Sequence, residues 1–247
     1  MSSIYTNFVS AIQGLGLTPP ERVLADGRLH RFRSGPERAE NGFYSLSILP
    51  ARQGGEIGFG LIGCWKRDVR EKWCSRDPKS VSQADREAMD RVRKDQKQEE
   101  ETAAVKAAEK ANWIWRKAGA PDAAHPYLTA KGIAARGLRQ YKGMLVVPVH
   151  RDGGLVSLQF IAPDGSKRFL SGGQIEGGYA SITSREAGKN RIIIAEGYAT
   201  AASLFEATGL PVVVAFNCSN LLPVAKTIRA KYPNAEIIIA ADNDLYC

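Results

Sequence analysis

Hydrophobic and polar residues follow different patterns in the first half of the chain, and each pattern predicts a different structure. Apolar residues at helical spacing over 4–15 predict a short helix. Alternating runs between turn residues predict strands of a small antiparallel sheet at 28–33, 42–49 and 57–65. We therefore expect a small α+β module over residues 1–76.

Residues 78–118 are predicted to form one long helix, because the single proline of this segment stands at its start and the segment contains no glycine. Charges of both signs alternate through the centre of this segment, which is typical of a solvent-exposed helix with ion pairs between successive turns. Trp113 and Ile114 begin a more apolar end that is expected to dock on the chain that follows. We interpret residues 77–118 as a charged linker helix.

The second half of the chain changes from hairpins to alternating strands and helices. Asp-Gly pairs separate apolar runs and predict a β-rich segment with strands at 144–150, 155–162 and 167–170. Beyond residue 190, strongly apolar runs alternate with two amphipathic helical segments, which is typical of a parallel sheet covered on both faces. The fold class is therefore α/β. We expect a core over 119–247, with the Rossmann-like parallel sheet from about residue 190.

The charge of the chain is basic and unevenly distributed. The 247 residues carry a net charge of +8, with +4 over residues 1–76, −1 over 77–110, +6 over 111–190 and −1 over 191–247. Two basic segments attract a polyanion, so nucleic acid is the expected partner. No apolar run approaches the roughly 20 residues of a membrane span, and the first residues lack a secretory signal. These features predict a cytoplasmic protein with no membrane partner.

Cysteines and aromatic residues leave two questions open. The four cysteines form no C-x-x-C pair, so no zinc site is expected, although Cys64, Cys74 and His30 could in principle share a metal. In the first module, arginines and lysines stand among aromatic residues. This mixture suits a surface that tracks a nucleic-acid backbone and stacks bases. It suits equally an aromatic core with solvated cations.

Three carboxylates follow the ends of predicted parallel strands. Glu196 comes directly after the strand at 192–195, and Asp242 and Asp244 come directly after the strand at 236–241. Right-handed βαβ connections bring these strand ends to one edge of the sheet. Hard oxygen ligands at that edge suit Mg²⁺, and Gly197 would let a ligand approach the backbone. The alternative is a helix cap at Glu196 and an ordinary loop at the aspartates.

The segment Glu196-Gly-Tyr-Ala-Thr-Ala201, followed by Ala240-Ala-Asp-Asn-Asp244, resembles the Toprim domain of DNA primases of the satellite-phage alpha-protein and plasmid type. The resemblance implies a nucleotidyltransferase that makes short RNA primers on single-stranded DNA from nucleoside triphosphates. It also implies Glu196 as the catalytic acid/base or a metal ligand, and Asp242 and Asp244 as ligands of Mg²⁺ or Mn²⁺. No Walker A loop is present, so a motor activity is not encoded here.

The resemblance extends upstream to the basic segment that precedes Toprim in such primases, through Tyr127-Leu128 with Lys131-Gly132 and the stretch 159–173. By analogy, Lys131, Lys167 and Arg168 would bind template phosphates or the incoming triphosphate. As an alternative, these three residues are solvated charges on a hairpin.

Only three residues follow Asp244, whereas Toprim domains usually continue with another helix and strand. The resemblance therefore implies a chain truncated after the Asp-x-Asp motif, or a partner chain that completes the sheet. A helicase is a further expected partner. Two other functions stay open: a Toprim nuclease that uses the same carboxylates, and an inactive DNA-binding remnant.

Overall fold

The computed structural model describes residues 3–36, 40–52, 54–184, 188 and 190–241. The chain divides into two compact units, residues 1–99 (unit 1) and 100–247 (unit 2), and the division falls inside the long helix. The sequence-based division at residues 76 and 118 places its boundaries at the two ends of that helix instead. Each unit is described by itself below.

Unit 1 is an antiparallel sheet of four strands between two helices. Its elements are α1 (Ser3–Gly14), β1 (His30–Phe32), β2 (Gly42–Pro50), β3 (Glu56–Cys64), β4 (Val69–Cys74) and the first part of α2 (Gln83–Lys117). The strands lie in the order β1-β2-β3-β4. The helix and the first three strands were predicted close to these positions, whereas β4 was not predicted.

The two faces of this sheet bury different apolar sets, because side chains alternate along each strand. One face packs against α1 and contributes Tyr44, Leu46 and Ile62 to its core. The other face packs Phe59 against Met89 of α2. Cys64 belongs to the first core and Cys74 packs against the second, so their thiols lie on opposite faces. A metal shared by these two cysteines is therefore inconsistent with the sheet.

The first turn of α2 is fixed to unit 1 through a buried carboxylate. Ser82 Oγ donates to Asp85 Oδ2 at 2.6 Å, and Asp85 N donates to Ser82 Oγ at 3.1 Å, so the Ser82 hydroxyl caps the first turn of the helix. Arg52 N donates to Asp85 Oδ1 at 3.1 Å. The hydrogen bond from Ser82, followed by that from the Arg52 backbone, lowers the pKa of Asp85. The start of α2 is thus tied to the β2–β3 connection.

Unit 2 contains an antiparallel sheet and a mixed sheet. After α2 come α3 (Pro126–Lys131), β5 (Arg139–Tyr141), β6 (Met144–Arg151), β7 (Gly154–Ile161), β8 (Lys167–Phe169), β9 (Ala180–Ile182), β10 (Arg191–Ala195), α4 (Tyr198–Thr208), β11 (Val212–Val214), a 3₁₀ turn (Cys218–Asn220), α5 (Leu221–Lys231) and β12 (Glu236–Ala240). The antiparallel sheet has the order β5-β6-β7-β8 and the mixed sheet β12-β10-β11-β9. Strands β5 and β9 were not predicted.

The antiparallel sheet is covered on both faces. Val146, Leu158 and Phe160 pack against the last part of α2, where Ala107, Ala111 and Ile114 are buried. The opposite face places Leu145, Val147 and Ile161 in one core with α4 and the parallel strands. The docking of Ile114 is as predicted, whereas Trp113 remains 51% exposed. Thus, α2 is a packing element of each unit and not only a linker.

The mixed sheet has three parallel strands and one antiparallel edge strand. Strand β10 lies between β11 and β12 and is parallel to both, and β9 pairs antiparallel with β11. Helix α4 packs in the core on one side of the sheet, and α5 packs in the core on the other. The predicted parallel sheet with helices on both faces is confirmed. Among the described residues, no helix is long and apolar enough to cross a membrane.

Replacement of Gly60 by alanine tests the register between β2 and β3. A side chain at this position would overlap the backbone oxygen of Ser45. We therefore expect Gly60→Ala to lower the free energy of unfolding by about 1–3 kcal/mol in urea denaturation. Gly14→Ala is the matched control, because open space surrounds that position at the end of α1. The control should be neutral or stabilising by about 0.4–1 kcal/mol. A Gly60→Ala protein as stable as the wild type would contradict the register.

Candidate active site at the carboxyl edge of the parallel sheet

The candidate site is organised by the strand pair β10 and β12. Their parallel register places Ala195 opposite Ala240. Glu196 is the first residue after β10, and Ala241 is the first after β12. Both positions therefore lie at the carboxyl edge of the sheet, within one strand spacing of about 4.8 Å at the level of the paired alanines.

The strand order of the sheet reverses beside β10. The chain runs from β10 through α4 to β11 on one side, and then through α5 to β12 on the other side of β10. The helices lie on opposite faces of the sheet: α4 leaves the carboxyl end of β10, and α5 leaves the carboxyl end of β11. In open α/β sheets, ligands bind at such a switch point. Glu196 is half-buried there.

Asp242 and Asp244 lie outside the described residues, so the structure shows the edge from which they continue but not their carboxylates. Among the residues that are described, no group of three His, Cys, Asp or Glu side chains could hold a metal ion. Glu196 is the one predicted metal ligand whose position is described. The convergence of the three carboxylates stays a prediction that rests on the strand ends.

Gly197 begins α4 and leaves open space beside the backbone. Its φ of −103° is an ordinary extended conformation. A Cβ atom at this position would meet only Thr200 Oγ1, at 3.8 Å. The backbone conformation therefore does not require glycine. Open space adjoins the backbone at the first turn of α4, and the approach of a ligand to Gly197 stays a prediction.

Tyr198 ties the start of α4 to the segment after α3. Its hydroxyl donates to Arg136 O at 2.8 Å and accepts from Arg136 N at 2.8 Å, and the ring is almost fully buried. Burial raises the pKa of Tyr198 to about 12, so the hydroxyl keeps its proton at neutral pH. Glu206 of the same helix accepts from Ala134 N at 2.9 Å. These bonds hold α4 against the chain that follows α3.

Strand β8 brings Lys167 to the side of the parallel sheet. Lys167 pairs with Ile161, which belongs to the core shared with α4, and its Nζ lies 5.7 Å from the ring centroid of Tyr127. Phe169, two residues on, makes an edge-to-face contact with Phe216 at 5.7 Å. Phe216 follows β11, so Phe169 reaches the carboxyl side of that strand.

Phe216 was not identified from the sequence. Its φ of 73° is rare for an aromatic residue, and such strain is concentrated at ligand sites and switch regions. No sequence pattern indicates a positive φ at a phenylalanine. The contact with Phe169 depends on tertiary packing, which sequence periodicity does not report.

Arg168 and Lys131 are placed differently from Lys167. Arg168 points to the opposite face of the sheet, where its guanidinium lies 5.6 Å from the ring centroid of Phe160 and contacts the Met144 sulfur at 3.7 Å. Lys131 is exposed in the last turn of α3. The structure thus separates Lys167 and Arg168, which adjoin in sequence, onto two faces of one strand.

Asn220 is a second residue that the sequence reading missed. It is buried, and its amide nitrogen donates to Gly178 O at 2.9 Å and to Ala215 O at 2.8 Å. Its Oδ1 accepts from Gly177 N at 2.7 Å. This side chain joins the loop before β9 to the end of β11. Its position before a helix resembles an ordinary cap, so the sequence offers no sign of these long-range bonds.

Comparison with known protein families gives a match for the last part of the chain. Residues 191–246 match the Toprim domain family. The chain carries a Toprim domain. Toprim domains generally bind divalent metal ions, and the matched range contains Glu196, Asp242 and Asp244.

Two relatives extend the comparison beyond the Toprim domain. A DNA primase TraC of Escherichia coli is 30% identical over 253 residues, which cover 96% of this chain and 17% of the relative. Another DNA primase TraC of Escherichia coli is 29% identical over 254 residues, covering 96% of this chain and 23% of that protein. The chain therefore spans less than a quarter of the length of either relative. No solved structure matches the chain at a significant level.

Tyr198 provides a test of how the Toprim domain is anchored. Tyr198→Phe removes the hydroxyl and leaves the backbone N–H and C=O of Arg136 without this partner. We expect a loss of about 1–3 kcal/mol in the free energy of unfolding, measured by urea denaturation. In the control Tyr141→Phe, the ring contacts with Trp113 and Lys142 are retained, and little change is expected. Equal stability of the two variants would show that the Tyr198 hydroxyl does not hold α4 in place.

Proposed function

We propose that this chain is the metal-binding part of a DNA primase that makes short RNA primers on single-stranded DNA in phage or plasmid replication. The Toprim domain and the two primase relatives support a role in priming. The upstream segment is included in those alignments, since they cover 96% of the chain. We also propose that the reaction takes place in the cytoplasm and that the chain is related to primases of the satellite-phage and plasmid type.

One observation carries the proposal: the carboxyl ends of β10 and β12 lie side by side at the switch point of the sheet. Glu196 extends from the first strand end, and the chain continues from the second towards Asp242 and Asp244. Carboxylate oxygens at a rigid strand edge are hard ligands that suit Mg²⁺, with Mn²⁺ as the alternative. These three residues would hold the ion. Bound there, it would neutralise phosphate charge and lower the pKa of the attacking hydroxyl.

The chain's own residues would orient the nucleotide around this edge. Gly197 leaves room for a phosphate beside the first turn of α4, and the N–H groups of that turn favour negative charge. Lys167 lies on the same side of the antiparallel sheet as the Toprim core and would bind a phosphate of the incoming triphosphate. Arg168, on the opposite face, and exposed Lys131 would instead contact the template backbone.

A glutamate-to-glutamine substitution tests the role of Glu196. The assay uses the full chain, single-stranded DNA, labelled nucleoside triphosphates and Mg²⁺, with the synthesis repeated in Mn²⁺. Glu196→Gln keeps the shape of the side chain but removes its charge, so we expect primer synthesis to fall at least about 100-fold. The matched control is Glu236→Gln at the other end of β12, where Glu236 pairs with Arg191 at 2.7 Å. This control should retain synthesis within about twofold of the wild type.

The same assay distinguishes the other functions. Template fragments in place of new oligonucleotides would indicate a nuclease. DNA binding without turnover in either metal would indicate an inactive remnant, and each result would overturn the primase proposal. Synthesis by Glu196→Gln at the wild-type rate would overturn the role of that carboxylate.

A further inference from the structure

Unit 1 contains a groove between its edge strand β4 and the first part of α2. The groove has a volume of about 590 Å³, and its lining includes Lys72, Arg76, Arg86, Arg93, Trp73 and Met89. Both walls belong to unit 1, and Asp85 fixes the start of the helical wall to the β2–β3 connection. The groove is therefore a feature of this unit alone.

Positive charge dominates the groove. Among the described residues of its lining, four are cationic and one, Glu71, is acidic. Backbone acceptors hold two of the guanidiniums: Arg76 Nη2 donates to Gly54 O at 2.8 Å, and Arg86 Nη2 donates to Pro78 O at 2.8 Å. Arg93 Nη1 forms an ion pair with Asp90 Oδ1 at 2.9 Å, and the Arg93 guanidinium lies over the ring of Phe59. Arginines held in this way keep further N–H donors for phosphate oxygens.

The basic surface continues from the groove along one face of the sheet. Lys72 and Arg70 alternate with Glu71 along β4 and therefore share a face. Arg70 pairs with Gly63, Gly63 pairs with Phe43, and Phe43 pairs with Arg31 of β1. Exposed Arg70 and Arg31 thus lie on one face at the two edges of the sheet, in a cross-strand row with Gly63 and buried Phe43 between them.

Trp65 lies at the far end of this row. Its ring centroid is 4.3 Å from that of Phe43, and the Arg31 guanidinium lies 4.8 Å from the indole centroid. Trp65 is 41% exposed, whereas Phe32, Phe43, Tyr44 and Phe59 are buried. The aromatic residues of this module are therefore mostly core, as one of the two sequence readings holds. Trp65 is the exposed exception among these described rings.

We infer that this groove and the adjoining row, ending at Trp65, bind single-stranded nucleic acid. The cations would track the phosphate backbone, and the exposed indole would stack on an unpaired base, the combination found in surfaces that bind single strands. A duplex would keep its bases stacked on one another and would not use the indole. The inference rests on the proposed function only for identifying the bound strand as the template.

The test is binding of a fluorescein-labelled oligothymidylate to the full chain, measured by fluorescence anisotropy in EDTA over a series of salt concentrations. Arg86→Ala combined with Arg93→Ala should weaken binding and reduce the slope of log K against log salt by about 1.4, for two phosphate contacts. The matched control combines Arg91→Ala with Lys94→Ala, exposed cations of the same helix that do not line the groove. This control should keep the wild-type slope.

Substitutions of tryptophan test the stacking contact separately. Trp65→Ala should weaken binding roughly 5- to 100-fold without changing the salt slope, and Trp65→Phe should restore most of the loss. Trp113→Ala is the control, because Trp113 is 51% exposed in unit 2. It should bind as the wild type does. Circular dichroism of each variant checks that the fold is retained.

Three outcomes would overturn the inference. The groove variant could keep the wild-type slope, Trp65→Ala could bind as tightly as the wild type, or an acidic peptide could bind to the groove while the oligothymidylate does not. The last result would identify a protein-docking surface. The Glu196→Gln protein should bind the oligothymidylate normally. The two proposals can therefore fail separately. If Glu196→Gln loses primer synthesis while the groove variant binds the oligothymidylate as the wild type does, the primase proposal stands and the nucleic-acid groove in unit 1 is ruled out.

Discussion

The parallel hydrogen-bond ladder between β10 and β12 holds Ala195 opposite Ala240, and the position of the candidate site follows from it. Because both strands run in the same direction, the residues that follow them continue from one edge. A shift of one residue in this register would turn every side chain of β12 to the opposite face. Packing on both faces opposes such a shift, since Ile238 of β12 packs against the core that contains α4 and Ile237 packs against the core that contains α5.

Contacts from several elements keep this edge in place. Tyr198 fastens the start of α4 to Arg136, and Asn220 fastens the end of β11 to the loop before β9. The antiparallel sheet adds Leu145, Val147 and Ile161 to the same core. The upstream segment is thus a structural part of unit 2. This packing explains in physical terms why Lys167, rather than Arg168, faces the Toprim side.

The sequence predicts the local structure of this chain well where a turn or a long apolar period determines it. Asp152 and Gly153 have φ values of 51° and 82°, as the hairpin between β6 and β7 requires. Strand β9 escaped prediction because its three residues lie between glycine-rich and polar segments and gain their pairing only from β11. The separate orientations of Lys167 and Arg168 depend on which face of the sheet meets α4, and no local pattern encodes that packing.

The candidate site was foreseeable in part. The order of strands and helices after residue 190 indicated where Glu196 would lie, whereas Phe216 and Asn220 act through contacts distant in sequence. In unit 1, the composition did not distinguish core aromatics from surface ones. The register decided it, because Phe43 lies beneath Trp65 and is buried while Trp65 stays exposed.

The most direct test of the central claim is the anomalous scattering of Mn²⁺ in crystals of the full chain. We expect a peak at the carboxyl edge of β10 and β12, with carboxylate oxygens of Glu196, Asp242 and Asp244 coordinating the ion. A Glu196 side chain directed away from the two aspartates, with no ion between them and Mn²⁺ bound elsewhere, would contradict the account.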